Sequence, residues 1–527
     1  MHGTGSAVFV LGLVLVAVAV GSFAERVRLP SPVLLVVLGI CVGLIPGVGP
    51  VDPTPELVGA LVLPPLLYSS ALDIPIRELR RVAGQVTGLA VGLVLLTVLV
   101  VGLVAHATVP GMGLSTALLL GALLSSVDPV AVAALSRQMH LPRRLQTIVQ
   151  SESLLNDATS LVVFKVLVAI VAAGGGASVG DVAGRLLLLA GGGTAIGVAV
   201  GAVAVFVRRR LHDLDGEGVF ALATPFAAYL LAETAHASGV TDVVVCGLFI
   251  GPRLPLFVTS SIRLREQAVL GVVVFALEGI VFGLIGLVLP SLVRSLPDGV
   301  PSSLLGPTAL VLLAVVVARA VWVYPSAYLP GLFRRAESRP GWQQPALLSW
   351  AGTRGVVALT AALSLPTNKD DGSPLPFRAE LLVITVSVIV VTLVAQGLTL
   401  APLASRLGVR GDPLADRAET HLAQSRAARV ALAHLEELLD EGRVDPAVVG
   451  TLHAVLERRV DVTRQNLKAP DRHVTADPER SYRRIRRDLV DVQRAEVLRL
   501  QDTGEVSHRV GADVIRGLDL EAAALDR

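Results

Sequence analysis

Across residues 1–410, long runs of Val, Leu, Ala and Gly alternate with short polar segments rich in arginine. A helix crossing the hydrocarbon core of a bilayer, about 30 Å thick, needs about 20 apolar residues. On that rule the pattern predicts thirteen spans, near 6–24, 31–46, 54–72, 82–107, 114–135, 145–172, 181–207, 217–235, 240–252, 266–290, 305–325, 345–365 and 379–404. The ninth is the shortest. Beyond residue 410 the runs stop, and apolar positions recur at helical spacing among charges, as in VALAHLEELL, AVVGTLHAVLERR and RRIRRDLVDVQRAEVLRL. The pattern therefore predicts an all-α polytopic membrane protein, with a transmembrane domain over 1–410 and a small helical cytoplasmic domain over 411–527.

Composition supports that division. A mean hydropathy of +0.69, with 53% hydrophobic and 17% charged residues, excludes an ordinary water-soluble domain. Of the charged residues, 47 lie in 1–410 and 41 in the 117 that follow. A net charge of +2 without a basic block speaks against nucleic acid as a partner. Cys41 and Cys246 stand alone in apolar segments and offer neither a disulfide framework nor metal-ligand spacing. No basic residue precedes the first run, which reads as a retained span and not as a signal peptide. Phosphate-binding loops, zinc-protease motifs and a serine/histidine pairing are all missing from the core sequence. Neither an enzyme nor a primary pump is expected, and no cofactor.

Alternating the loops between two sides collects nineteen basic residues on one side: Arg26, Arg28, Arg77, Arg80, Arg81, Arg137, Arg143, Arg144, Arg208 to Arg210, Arg253, Arg263, Arg265, Arg334, Arg335, Arg339, Arg406 and Arg410. The other side holds Arg185, Arg294, Lys369 and Arg378. The positive-inside bias assigns the arginine-rich loops and the C-terminal domain to the cytoplasm and the N-terminus to the outside.

Against this apolar background, SESLLNDATS at 151–160 places two carboxylates and an amide inside the sixth span. Counted from Arg144 at about 1.5 Å per residue, Asp157 lies roughly 20 Å into the helix, near the middle of the membrane. At about 100° per residue, Glu152, Ser153, Asn156, Asp157 and Ser160 fall within an arc of about 140°. Such a stripe either glues helices together or lines an ion pathway, because an ionisable side chain at that depth costs at least about 2.5 kcal/mol. The pathway reading is the sharper one.

In the preceding span, SSVDPVA brings Asp128 to similar depth. Pro129 cannot bond the carbonyl of Ser125 and pushes Asp128 away from helical torsions, so an interruption is expected over Ser125 to Asp128. The two carboxylates would approach one another there, and freed carbonyls such as that of Val127 would face a cavity. A plain proline kink is the alternative. In the twelfth span, Gly352 and Gly355 flank Arg354. Interruptions in spans 5 and 12 suggest inverted halves, 1–6 and 8–13, whose broken segments cross at the midplane. Arg354 and Arg319 need acidic partners, and Glu152 is the nearest candidate; Arg319 could instead snorkel toward the interface. Lys165 lies off the stripe and, with no partner evident, reads as interfacial or packing.

These stretches resemble the cation:proton antiporter-1 family, which includes NhaP-like sodium/proton antiporters and the animal sodium/proton exchangers. The resemblance is carried, in family order, by LPPLLYSSAL (63–72), VDPVAV (127–132), ESLLNDATSLVVF (152–164), GVTDVVVCGLFIG (239–251), EGIVFGLIG (278–286), RAVWVYP (319–325), GTRGVVAL (352–359) and QGLTLAPLASRLG (396–408). It implies thirteen helices, a homodimer, and a core domain that carries the ion by moving against a dimerisation domain. It further implies that Asp157 takes either the proton or the cation, that Ser153 lends an oxygen ligand, that Asn156 organises the site, and that Glu152 pairs with Arg354 or Arg319. Asp128 matches the aspartate before the proline. Two positions depart from the family pattern: Val127 stands where many members have Thr, leaving only its carbonyl as a ligand, and Ser69 where many have Glu in the third helix.

The expected function is electroneutral exchange of a monovalent cation, Na+, for a proton across the plasma membrane by alternating access. K+/H+ exchange is the alternative within the same fold and a cation channel the alternative outside it. The C-terminal domain reads equally as a solubilising appendage or as a regulatory module for a partner or ligand of unknown nature. His106 and His236 read as surface residues near the outer face, and Glu278 and Asp242 as packing residues.

Overall fold

The structure, a computed structural model, describes residues 2–27, 30–45, 55–129, 132–133, 135–136, 141–174, 178–211, 213–295, 302–328, 341–369, 371–409, 411–441, 449–450, 452–457, 460–461, 478–503, 505–506 and 508–525. Arg28, Arg137, Arg334, Arg335, Arg339 and Arg410 of the loop-charge count lie outside these residues, as do Val130 and Ala131 of VDPVAV. Two compact units divide the chain, residues 1–411 and 412–527.

Among its described residues the first unit is built of helices and the loops between them, with one isolated β-bridge between Asn368 and Pro374. In order it runs α1 (His2–Val27), α2 (Ser31–Gly43), α3 (Pro55–Leu72), α4 (Ile76–Thr108), α5 (Leu114–Leu123), α6 (Arg143–Ala172), α7 (Val179–Arg208), α8 (Leu214–Thr234), α9 (Gly239–Ile250), α10 (Ser260–Ser295), α11 (Ser302–Tyr328), α12 (Gln343–Trp350), α13 (Val356–Leu363) and α14 (Arg378–Leu407). Among the described residues, seven helices are long and apolar enough to cross a membrane: those of 76–108, 143–172, 180–208, 239–257, 260–294, 303–328 and 378–407. Of the other six predicted segments, α2 is a shorter apolar helix, the predicted spans 114–135 and 345–365 are broken in the middle, and α8 carries Asp215, Glu217 and Glu233 at its ends, while α1 and α3, 26 and 18 residues long, are apolar over 12–24 and 59–72.

Helix starts follow local chemistry. Ser178 and Asp181 form a reciprocal capping box ahead of α7. The Asp213 carboxylate accepts the Gly216 amide at 2.7 Å ahead of α8, and Ser238 caps α9. Interior packing uses small residues to bring backbones together. At the α2–α10 crossing a Cβ on Gly39 would stand 2.6 Å from the Gly283 carbonyl, so only hydrogen fits there. One large apolar cluster joins Val36, Tyr68, Leu119, Leu120, Ile285, Leu359 and Ile384 from six helices. A second, smaller one gathers Val86, Leu89, Ile148, Val323 and Leu347.

The second unit contains α15 (Pro413–Asp440), α16 (Pro478–Asp502) and α17 (His508–Leu525). The pair α16 and α17 is tied by Arg486–Glu521 at 2.5 Å and Arg494–Asp519 at 2.7 Å.

Lys165, partly exposed, has a partner that was not evident in the sequence, Glu233 of α8. One sequence reading needs correction. Arg208, taken as one of the loop arginines, is the last residue of α7 and is buried, held by Glu266 at 2.8 Å and Glu217 at 3.3 Å. Two carboxylates from other helices draw it inward, which sequence alone does not reveal.

Candidate ion-binding site

Helix α5 ends at Leu123, and residues 126–129 carry no regular structure ahead of Pro129, as the missing proline amide requires. The matching break runs over 351–355 between α12 and α13. The two breaks are stitched together. The Asp128 amide donates to the Thr353 carbonyl at 2.8 Å, and the Thr353 hydroxyl donates back to the Asp128 carbonyl at 2.7 Å. Asp128 Oδ2 accepts the Val356 amide at 3.4 Å, putting its carboxylate at the first turn of α13, where unpaired amides and the helix dipole favour negative charge. Gly355 makes room for that carboxylate: any Cβ there would overlap it.

Helix α6 runs past this crossing with Glu152, Ser153, Asn156, Asp157 and Ser160 all buried, the face that the wheel arithmetic put together. The Ser126 hydroxyl donates to Asp157 Oδ1 at 2.5 Å, and the Ser153 hydroxyl donates to the Val127 carbonyl at 2.8 Å. Ser160 donates to the main-chain carbonyl of Asp157 at 3.0 Å. Asn156 is fully buried, and neither its amide nitrogen nor its oxygen has a hydrogen-bond partner. An unpaired polar group in an interior costs about 1–3 kcal/mol, so this amide has a donor and an acceptor to offer a ligand.

Arg319 reaches across from α11. Its two terminal nitrogens donate to Glu152 Oε1 and Oε2 at 2.6 and 3.2 Å, and Nε donates to the Leu348 carbonyl at 3.0 Å. The fork geometry suits a guanidinium, and at 2% exposure the side chain is no snorkelling arginine. Glu152 is thus engaged by Arg319. Arg354, also buried, turns Nη1 to the Gly352 carbonyl at 3.0 Å and leaves Nε without a partner.

Of the sequence-predicted residues, Asp157, Ser153, Asn156, Val127 and Glu152 gather on or against one face of α6, with Arg319 paired to that face, while Asp128 anchors the crossing. Ser69 lies half-buried on α3, and no described hydrogen bond joins it to α6. Sequence reasoning missed Ser126 and Thr353. Both lie inside the predicted interruptions, where hydroxyls beside freed backbone groups were a readable signal.

The groups gathered here offer hard oxygens, one carboxylate with hydroxyl, carbonyl and amide groups, the kind of set that suits a small monovalent cation. Among the described residues no group of three or more His, Cys, Asp or Glu is placed to hold a metal ion.

Residues 12–406 match the family model described as sodium/hydrogen exchanger, transmembrane. The chain is 33% identical to a Na+/H+ exchanger of Mycobacterium bovis, described as uncharacterized, over 98% of this chain and 96% of that one. It is 29% identical to the sodium, potassium, lithium and rubidium/H+ antiporter of Bacillus subtilis over 73% of this chain and 60% of that one. Among solved structures, the sodium proton antiporter MjNhaP1 from Methanocaldococcus jannaschii aligns with a TM-score of 0.64 at 18% identity, covering 77% of this chain and 99% of that one, a likeness of fold.

Proposed function

Because this chain belongs to the sodium/hydrogen exchanger family, we propose that its exchange runs through Asp157, which holds either a proton or a sodium ion and never both. The protein is a multi-pass membrane antiporter of cations and protons, not an enzyme. One observation carries the assignment to Asp157: its carboxylate lies against the unwound segment of the broken helix, with the Ser126 hydroxyl at 2.5 Å.

Exchange then follows from electrostatics. An empty, charged Asp157 is too costly to carry through a low-dielectric barrier, so the moving part crosses only when proton or cation has neutralised it. Ser153, the Val127 carbonyl and the Asn156 amide supply the remaining oxygens. Asp128 holds the crossing by binding the first turn of α13. Glu152 and Arg319 cancel one another and brace α6 against α11, so a single carboxylate titrates per cycle and exchange is electroneutral. The carrier works as a homodimer in the plasma membrane. Its core is built from inverted halves and shows the site to alternate sides, with the N-terminus outside and the C-terminal unit in the cytoplasm.

The test is cation-driven dequenching of a pH dye in inverted membrane vesicles. Asp157→Asn and Asp157→Cys should abolish it at every pH; exchange retained by either variant refutes the assignment. Potassium is the second candidate cargo, favoured by the Bacillus subtilis relative, a sodium, potassium, lithium and rubidium/H+ antiporter, and the same assay run ion by ion separates it from sodium.

A further inference from the structure

Beyond Asp157, toward the end of α6 opposite Arg143 and Arg144, Lys165 lies about 12 Å further along the helix at about 1.5 Å per residue. Its ammonium pairs with Glu233 in the last turn of α8. Glu233 is held from a second side, since its Oε1 also accepts the Gly239 amide at 3.1 Å where α9 begins. The pair joins two different parts of the bundle. Helix α6 carries Asp157 and packs on α4 and α5, whereas α8 lies among α3, α7, α9 and α10. The two parts meet a second time one turn away. A Cβ on Gly59 of α3 would stand 3.6 Å from Thr360 Cγ2 of α13 and 4.0 Å from the Tyr229 hydroxyl of α8. Helix α13 leaves the break that holds Asp128, so Thr360 belongs with the site and Gly59 and Tyr229 with its surroundings.

Exposure separates this ion pair from the one beside the site. Lys165 and Glu233 keep 34% and 33% of their side chains exposed, so each charge can take up water when the other withdraws, and such a pair adds little to stability. Arg319 and Glu152, at 2% and 1%, have no such exchange, and parting them would strand a charge in the interior. A contact between a moving core and its surroundings has to be of the separable kind. We propose that Lys165 and Glu233 form a latch on the outer side of Asp157, closed while the site faces the cytoplasm and parted each time it faces outward, a proposal that rests on the alternating-access reading above. The pair gives the ion no ligand. It sets how the protein divides its time between its two states, because an interaction made in one state alone biases the equilibrium by its own worth.

The test reads the outer side directly. The full-length chain carrying Cys41→Ser, Cys246→Ser and Thr360→Cys is labelled in right-side-out vesicles with a membrane-impermeant maleimide. Thr360 is buried, so the reagent reaches this position only when α13 and α8 part. Adding Lys165→Met should raise the labelling rate about two- to fivefold, the worth of one exposed ion pair. Lys165→Arg keeps the charge and should leave the rate unchanged. Glu233→Gln, which retains an acceptor for the Gly239 amide, should raise it by the same factor as Lys165→Met, and the two together should be no faster than either alone, because a single interaction is lost once. Should the Thr360→Cys reporter not fold, Gly59→Cys serves in its place. Equal labelling in all variants, a rise in Lys165→Arg to match Lys165→Met, or increases that multiply in the double variant would overturn the latch. Labelling requires no exchange, so failure of the Asp157 assignment in the dye assay leaves this test standing, and a flat labelling response leaves that assignment intact.

Discussion

Thr353 and Asp128, 225 residues apart in sequence, exchange two hydrogen bonds at 2.8 and 2.7 Å and so splice one broken helix to the other. Backbone freed by an interrupted helix cannot stay unpaired inside a membrane. Here each break satisfies the other, which lets the irregular backbone persist beside Asp157. Thr353→Val keeps the carbonyl but removes the hydroxyl and leaves the Asp128 carbonyl short of a donor, at a cost of about 1–3 kcal/mol. Thr353→Ser should restore most of that. Thermal unfolding of the two variants in detergent, with exchange measured in parallel, checks the contrast; equal melting would argue that the hydroxyl contributes nothing.

Gly355 offers a sharper probe of the same crossing. A methyl at this position collides with the Asp128 carboxylate, so Gly355→Ala must displace that carboxylate or the first turn of α13, costing about 1–3 kcal/mol. Gly84 in α4 has open space around the same methyl, and Gly84→Ala should be neutral or slightly stabilising. A Gly355→Ala chain with full stability and full exchange would contradict the geometry.

Removing one partner of the Glu152–Arg319 pair strands a buried charge, so Glu152→Gln or Arg319→Gln alone should cost about 3–5 kcal/mol. The double variant Glu152→Leu/Arg319→Met should be more stable than either single variant, since a buried ion pair replaced by apolar groups of similar volume is often neutral. A double-mutant cycle by chemical denaturation measures the coupling. Purely additive losses would mean the fork seen at 2.6 and 3.2 Å holds nothing together.

Ser126 donates to the ionised form of Asp157, a bond to a charged group worth about 1.5–3 kcal/mol. Ser126→Ala should therefore raise the cation concentration needed for half-maximal exchange by about tenfold or more. Ser125→Ala should leave it unchanged, because Ser125 spends its hydroxyl on the Ala122 carbonyl at the end of α5. Concentration-response curves in vesicles distinguish the two.

The proposed competition of proton and cation for Asp157 predicts its own pH signature. As pH falls, more sites hold a proton, so the half-saturating cation concentration should rise, toward a limiting slope of about tenfold per pH unit for one proton. Saturating cation should restore the maximal rate. Initial rates over a grid of pH and cation concentration check this; a maximal rate that falls with pH at a constant half-saturating concentration would point to protonation of a separate regulatory group.

Much of this site was legible in the chain because periodicity and proline chemistry are local. The α6 stripe follows from helical spacing alone, and the break before Pro129 follows from a missing amide. The arginine pairing did not, because Arg319 and Arg354 carry the same charge at similar depth and only the path of α11 past Leu348 and Ala351 brings one of them to Glu152. The partner of Lys165 was not evident and Arg208 was misread for the same reason: their carboxylates come from other helices.

The sequence by itself determined an all-helical membrane protein with a polar stripe on one buried helix and two interruptions, since hydropathy, helical period and the Pro and Gly backbone effects act within a few residues. Only the tertiary structure decided that the interruptions cross at Asp128 and Thr353, that Glu152 goes to Arg319, and that Lys165 goes to Glu233. Those outcomes depend on which helix faces meet, and that is settled by packing of the whole bundle, through contacts between residues far apart in the chain.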